Sequence, residues 1–145
     1  MTKSVLCAVD ISNPEDDKSV LAMALRLAEM DNAQLDVITV LPDFGLSVVG
    51  SFFQASHHDE AVTVAKKRLK GMVGAVVGAD QSTKIRHIVA TGSAYQEILK
   101  TARKAGTDLI VIGSHTPGLQ DYLLGPNAAR VVRHSKCSVF VVRDS

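Results

Sequence analysis

The sequence predicts a single α/β domain, an open five-stranded parallel β-sheet with helices on both faces. Three observations carry that expectation. Short apolar runs rich in Val, Ile and Leu recur along the chain, each stopped by Asp, Pro or Gly. Between them lie longer segments with helical spacing of apolar residues and helix-end signals. Strands that alternate with helices must cross over the sheet, which makes neighbours parallel and covers both faces. With 145 residues, 46% of them hydrophobic and 21% charged, the chain has the size and apolar content of one globular domain spanning 1–145.

"SVLCAVD" (4–10) reads as a strand buried on both faces and ending in Asp. In "ISNPEDD", Asn13 is the expected N-cap, Pro14 the first helical residue, and Glu15, Asp16 and Asp17 complement the helix dipole. The helix continues through "KSVLAMALRLAEM" with Leu21, Ala24, Leu25 and Ala28 on one face. "QLDVITVL" (34–41) is the second strand, stopped by Pro42. "PDFGLSVVGSFFQAS" (42–56) reads as a loop. Ser56 with Asp59 has capping-box spacing and opens a helix that runs to Gly78. "KIRHIVA" (84–90) alternates as a strand near an edge. Ser93 with Gln96 caps the next helix, and Gly106 ends it. "DLIVIG" (108–113) and "SVFVV" (138–142) are the fourth and fifth strands, separated by a loop and the helix "NAARVVRHS".

Composition excludes several functions. A formal net charge of +1 and no Lys/Arg stripe interleaved with aromatics argue against a nucleic-acid surface. Cys7 and Cys137 sit in apolar runs and read as small core residues in a reducing cytosol, with no sign of a reactive environment. No apolar run approaches the roughly 18 residues of a membrane span, and none near the N-terminus suits a signal peptide, so a cytoplasmic protein without membrane insertion is expected. His57, His58 and Asp59 are adjacent and cannot converge on one metal from a helix. Ser114 and His115 diverge and have no orienting acid. Lys66, Lys67, Arg68 and Lys70 read as a solvated helix face, and Arg130 and Arg133 as surface residues.

In an open parallel sheet, ligands lie beyond the carboxyl ends of the strands, where the strand order reverses. Three places qualify: Ala8–Asp10, Thr39–Leu41, and the loop "GSHTPGLQDYLLGPNAARVV" from Gly113. Gly113 and Gly125 permit close backbone approach, and the helix after Gly125 offers free N–H groups and a positive dipole end. These features suit a phosphate, and equally suit a strand end followed by a helix cap. The Walker pattern G-x-x-x-x-G-K-[ST] and the dinucleotide pattern G-x-G-x-x-G are both absent.

"VLCAVD", "GSAYQEILKTARKAGTDLIVIGSH" and "YLLGPNAARVVRHSKCSVFVV", in this order, resemble the universal stress protein family over nearly the whole chain, in particular its small single-domain ATP-binding branch. The resemblance implies strand order 3-2-1-4-5 in a Rossmann-like, adenine nucleotide alpha hydrolase-like fold. It implies ATP, ADP or AMP as ligand, with Mg2+ as a companion of the phosphates. It also implies a homodimer paired through the last strand (Ser138 to Val142), with a tetramer as the larger assembly, and a regulatory partner such as a transporter. The nucleotide-binding pattern G-x2-G-x9-G-[ST] is matched by Gly113 and Gly125. Thr116 replaces the second glycine, Gly118 follows it, the interval is one residue short, and Pro126 replaces the hydroxyl residue. Asp10 resembles the acidic residue facing the nucleotide, and a helix-proximal cap is its simpler role. Val40 resembles the position that packs on adenine, and a core valine is its simpler role. Ala8, Val9, Ile112, His115, Asn127 and Ala128 complete the implied site.

Proline offers neither hydroxyl nor N–H, so contacts to a terminal phosphate are expected to weaken while AMP and ADP are held nearly as well as ATP. Hydrolysis is expected to be slow or absent, since no general base, lysine clamp or arginine finger is visible. Two classes therefore remain: a nucleotide-binding regulator, and a nucleotide-free dimeric interaction module with a degenerate phosphate loop.

Overall fold

A computed structural model describes residues 2–42, 51–114 and 125–143, and for residues 51–57 the backbone alone. The order of elements is β1 (Ser4–Ala8), α1 (Lys18–Met30), β2 (Gln34–Leu41), α2 (Ser51–Val77), α3 (Ala79–Ser82), β3 (Arg86–Thr91), α4 (Ala94–Ala105), β4 (Leu109–Gly113), α5 (Pro126–His134) and β5 (Ser138–Val142). The five strands form one parallel sheet in the order β3-β2-β1-β4-β5. β1 sits at the centre, with Val5, Leu6 and Cys7 fully buried. β3, the alternating strand, is an edge, as its pattern predicts.

The pleat divides the core in two. Odd-numbered β1 and β2 residues (Val5, Cys7, Leu35, Val37) pack with Val111 of β4 against Val20, Leu21, Ala24 and Ala28 of α1 and Leu69, Met72 and Val73 of α2. The even-numbered set (Leu6, Ala8, Ile38) packs with Ile110 and Ile112 against Ile98 and Ala102 of α4 and Ala128 and Val131 of α5. The helical spacing of each set brings one apolar stripe onto the sheet. The ends of the strands are tied together: Asp108 Oδ2 accepts the N–H groups of Lys3 (2.8 Å) and Ser4 (3.1 Å).

Several helix starts differ from expectation. α1 begins at Lys18, not Pro14. Asn13 spends its side-chain amide on Asp10 Oδ2 (3.1 Å), and successive turns, Asn13 N–H to Asp10 O and Asp16 N–H to Asn13 O, occupy the segment instead. α2 begins at Ser51, ahead of the Ser56–Asp59 pair, because no Gly or Pro interrupts 51–70. The expected loop 42–56 is therefore helical from Ser51, and 43–50 lies outside the described residues. The turn at Ser93 is an N-cap in backbone only: Gln96 Nε2 donates to Tyr95 Oη (3.2 Å) rather than closing a capping box. Gly106 ends α4 at φ +64°, and its N–H is directed at the carbonyls of Ala102 and Arg103, a left-handed position that favours glycine.

One ion pair joins a buried carboxylate of the sheet to an exposed arginine on its edge strand. Asp36 of β2 is fully buried and opposite Arg86 in register. Arg86 Nε and Nη2 donate to its two oxygens at 2.9 and 2.7 Å, and Gln34 Nε2 adds a third donor at 3.3 Å. The carboxylate in turn holds the Arg86 guanidinium above its ordinary pKa.

Candidate functional site

The chain runs from β1 outward to β2 and β3, then returns to build β4 and β5 on the other side. Such a reversal splays the loops at the carboxyl ends of β1 and β4 and leaves a crevice. A cleft of about 410 Å³ opens there, within the size range of small-ligand sites.

Its walls come from every part of the chain that ends at this rim. Ala8, Val9 and Asp10 leave β1, Thr39, Val40 and Leu41 end β2, and Ile112 and Gly113 end β4. Asp17 contributes from the start of α1, Ala94 and Ile98 from α4, and Asn127 and Ala128 from α5. Ile38, Val40, Ile98, Ala8 and Ile112 form an apolar wall continuous with the second core cluster. Such a wall can stack a flat heterocycle. Val40 is half-buried against the core and also lines the cleft.

The polar side is built around the start of α5. Gly125 is its N-cap and Pro126 its first residue. Ala129 N–H already bonds Gly125 O (2.9 Å), which leaves the N–H groups of Asn127 and Ala128 at the helix mouth with no side-chain cap among the described residues. Both residues line the cleft. Gly125 itself donates its N–H to Ser114 O (3.1 Å), and Ser114 N–H bonds Val142 O (2.9 Å), so the Gly125 amide is committed to the fold. Its φ of −66° is open to any residue. Neither Gly125 nor Pro126 lines the cleft directly.

Gly113 has a different reason to be glycine from the one expected. A Cβ there would lie 3.0 Å from Val20 Cγ2 and 3.5 Å from Asp17 Oδ1, so the close approach is to α1. Asp10 takes the simpler of the two roles considered for it, that of a cap, and does so at the edge of the cleft. It borders the cleft, and its oxygens accept the Ser12 N–H (2.9 Å) and Asn13 Nδ2 (3.1 Å), capping the turn after β1. Asp17 Oδ2 in turn accepts the Asp10 N–H at 2.6 Å, which fixes the floor of this corner.

Of the residues singled out from sequence, Ala8, Val9, Asp10, Val40, Ile112, Gly113, Asn127 and Ala128 meet at the cleft. His115, Thr116 and Gly118 lie outside the described residues. Sequence reasoning did not reach Asp17, Ala94 and Ile98. Asp17 was read as a dipole charge, and only the late start of α1 turns it toward Asp10.

The remaining candidates have structural employment. His58 Nε2 pairs with Thr91 Oγ1 (3.2 Å), joining α2 to the end of β3. The guanidinium of Arg130 lies 5.1 Å from the ring centroid of Tyr95. Lys66, Lys67, Arg68 and Lys70 are exposed. Cys7 is fully buried; burial, reinforced by the Asp17 charge, pushes its thiol well above the ordinary value and makes it unreactive. No described helix is long and apolar enough to cross a membrane. A second cavity of about 410 Å³ lies at the other end of the sheet, beside Arg103, His134 and Lys136. It is bordered by the C-terminal ends of α4 and α5, whose negative dipole ends disfavour an anion.

The model of the universal stress protein family matches residues 1–143. Universal stress protein G of Shigella flexneri is 33% identical over 150 residues, covering 99% of this chain and 100% of that protein. Among solved structures, hypothetical protein MJ0577 aligns with a TM-score of 0.83 at 22% identity over 100% of this chain and 98% of that one. A universal stress protein in complex with cAMP aligns at TM-score 0.61 and 23% identity, covering 99% and 98% of the two chains. The universal stress protein from Archaeoglobus fulgidus in complex with dAMP aligns at 0.68 and 19%, covering 96% of each chain. At these identities the structures share the fold.

Proposed function

Because the chain belongs to the universal stress protein family, we propose that it is a regulator that binds an adenine nucleotide in the cleft at the ends of β1 and β4. One observation carries the reading: the amides of Asn127 and Ala128, capped by no described side chain, stand at a cleft that also has an apolar wall. Amides and a dipole end draw in a phosphate; the wall of Ile38, Val40 and Ile98 takes the base. Relatives of the same fold are found with cAMP and with dAMP, which supports adenine as the base.

AMP, ADP and ATP are the candidate ligands, with Mg2+ accompanying the longer phosphates. Hydrolysis is slow or absent, since among the described residues no lysine or arginine lines the cleft to stabilise a transferring phosphoryl group. The nucleotide acts through assembly. β5 is an edge strand with Phe140 38% exposed, and pairing it with a second copy removes an open edge. A dimer so formed, or a tetramer of such dimers, passes nucleotide occupancy to a partner in the cytoplasm, in a stress response or at a transporter, by differential affinity for two states.

A second reading has its own support. Pro126 has no N–H and the Gly125 amide is already spent, so the phosphate end is poorer than the fold permits. On that reading the dimer surface acts without nucleotide. Thermal melting with millimolar ATP, ADP and AMP separates the two. A bound ligand at 100 times its Kd stabilises by about 2.7 kcal/mol and raises the midpoint. Identical midpoints with all three ligands leave the nucleotide-free module.

A further inference from the structure

The opposite end of the sheet carries the second cavity. α4 and α5 both cross back antiparallel to the strands, so their C-terminal turns stand beside the starts of β4 and β5. The space of about 410 Å³ lies between them. Leu99, Ala102 and Arg103 share one face of α4, three and four residues apart, and give an apolar wall beside a guanidinium. The chain entering β4 contributes Thr107, and the chain entering β5 contributes Lys136 and Cys137. His134, the last residue of α5, completes the rim, with its ring centroid 6.2 Å from that of Tyr95.

Helix C-termini taken alone disfavour an anion, and basic residues there commonly do no more than offset the dipole. Here the cations exceed what the dipoles require. Each helix end amounts to roughly half a negative charge. Against them stand Arg103 and Lys104 in the last turn of α4, Arg133 in the last turn of α5, and Lys136 beyond it, each a full positive charge. Arg103 and Lys136 line the cavity, and neither side chain forms an ion pair or hydrogen bond with a described residue. Among the described residues no Asp or Glu joins the lining. Asp108, next to Thr107 in the chain, is outside it, and its Oδ2 accepts the amides of Lys3 and Ser4.

Thr107 is an independent sign of a guest. It is 9% exposed, and its buried hydroxyl has no hydrogen-bond partner among the described residues. Buried hydroxyls are normally paired, and an unpaired one costs stability. We infer that this cavity binds a small organic anion, a carboxylate or phosphate on a short apolar body. Its charged end meets Arg103, Lys136 and the Thr107 hydroxyl, and its body rests on Leu99 and Ala102. The site is independent of the nucleotide reading, since the length of the strands separates the two.

Cys137 supplies a reporter inside the site. It lines the cavity half-buried, with Sγ 3.4 Å from Ser135 Oγ, whereas Cys7 is fully buried. Iodoacetamide labelling of the full-length native protein is timed with millimolar citrate or phenyl phosphate, at an ionic strength held constant with sodium chloride. Citrate offers carboxylates alone and phenyl phosphate a phosphate on an apolar ring. Labelling of Cys137 is expected to slow, and the anion that half-protects at the lower concentration names the charged end. Arg103→Ala is expected to raise that concentration by roughly tenfold, the loss of one charge-assisted hydrogen bond. Thr107→Val is expected to raise it as well, with a melting midpoint equal to the parent's or higher, because it removes an unpaired hydroxyl. Calorimetric titration of both anions into the parent and Arg103→Ala makes the comparison without the thiol.

Labelling at the chloride rate with both anions, together with no heat that depends on Arg103, overturns the inference. Protection or heat that neither Arg103→Ala nor Thr107→Val alters places the anion elsewhere and overturns it equally. Neither result touches the nucleotide reading, whose ligands are tested at the other end of the sheet.

Discussion

Replacing Arg86 by methionine isolates the buried Asp36 carboxylate and is expected to destabilise the fold strongly. Asp36 is fully buried, and two of its three side-chain donors belong to Arg86, at 2.9 and 2.7 Å. Methionine leaves it with Gln34 Nε2 at 3.3 Å alone. Breaking a buried pair by removing one partner typically costs about 3–5 kcal/mol. The lower end applies here: the Arg86 side chain is 61% exposed, so its removal lets water approach the carboxylate from the β3 edge. At about 2–4 °C per kcal/mol for a chain near this size, the melting midpoint falls by roughly 6–12 °C. Differential scanning calorimetry measures it, with near- and far-UV circular dichroism confirming the native fold below the transition. Adding Asp36→Leu to Arg86→Met removes the stranded charge, and the double variant recovers most of the loss or exceeds the parent. An Arg86→Met midpoint within about 2 °C of the parent refutes the reasoning. So does a double variant that melts lower than the single one.

Four further outcomes follow from named contacts. Gly113→Ala places a Cβ 3.0 Å from Val20 Cγ2 and costs about 1–3 kcal/mol in chemical denaturation, and Val20→Ala in the same chain recovers part of that; no recovery would show that the glycine is needed elsewhere. Iodoacetamide labels the native protein at Cys137, which is half-buried, and reaches Cys7 only after unfolding, as read by peptide mass. His87 titrates below its ordinary 6.5, first through burial and then through the Lys70 charge, and NMR of its ring protons should show Lys70→Ala moving the midpoint upward. Since the unfolded chain then binds the proton more readily than the folded one, stability is full above about pH 6.5 and declines as pH falls toward the depressed folded value; His87→Gln flattens that part of the profile. Pro126→Ser restores an N–H and a hydroxyl at the start of α5 and raises ATP affinity more than AMP affinity in calorimetric titration, by roughly tenfold for one charge-assisted bond.

Much of the fold was legible because short-range physics dominates it. Short runs rich in Val, Ile, Leu and Phe favour strands, so β2 and β5 appear with their full lengths at 34–41 and 138–142. Gly106 could be read as a helix stop because its left-handed conformation suits little else. Helix starts were less legible. Asn13 can cap a helix or donate its amide to Asp10, and the outcome depends on where β1 delivers Asp10. Sequence spacing contains no such information. The same holds for Gly113, whose small size answers to Val20, a residue far away in sequence and adjacent only once α1 docks beneath β4.

The sequence by itself determined the class of the fold, the apolar stripe of each helix and the crossing of β-α units, because these follow from periodicity and local conformational preference. It also determined that Pro126 stands at the mouth of the last helix without an N–H. Only the tertiary structure decided which amides are left over there, since the Gly125 N–H is taken by a carbonyl across the loop. It alone brought Asp17 beside Asp10 and kept every described lysine and arginine out of the cleft lining. Charge acts through distance in space, and distance in space is set by packing.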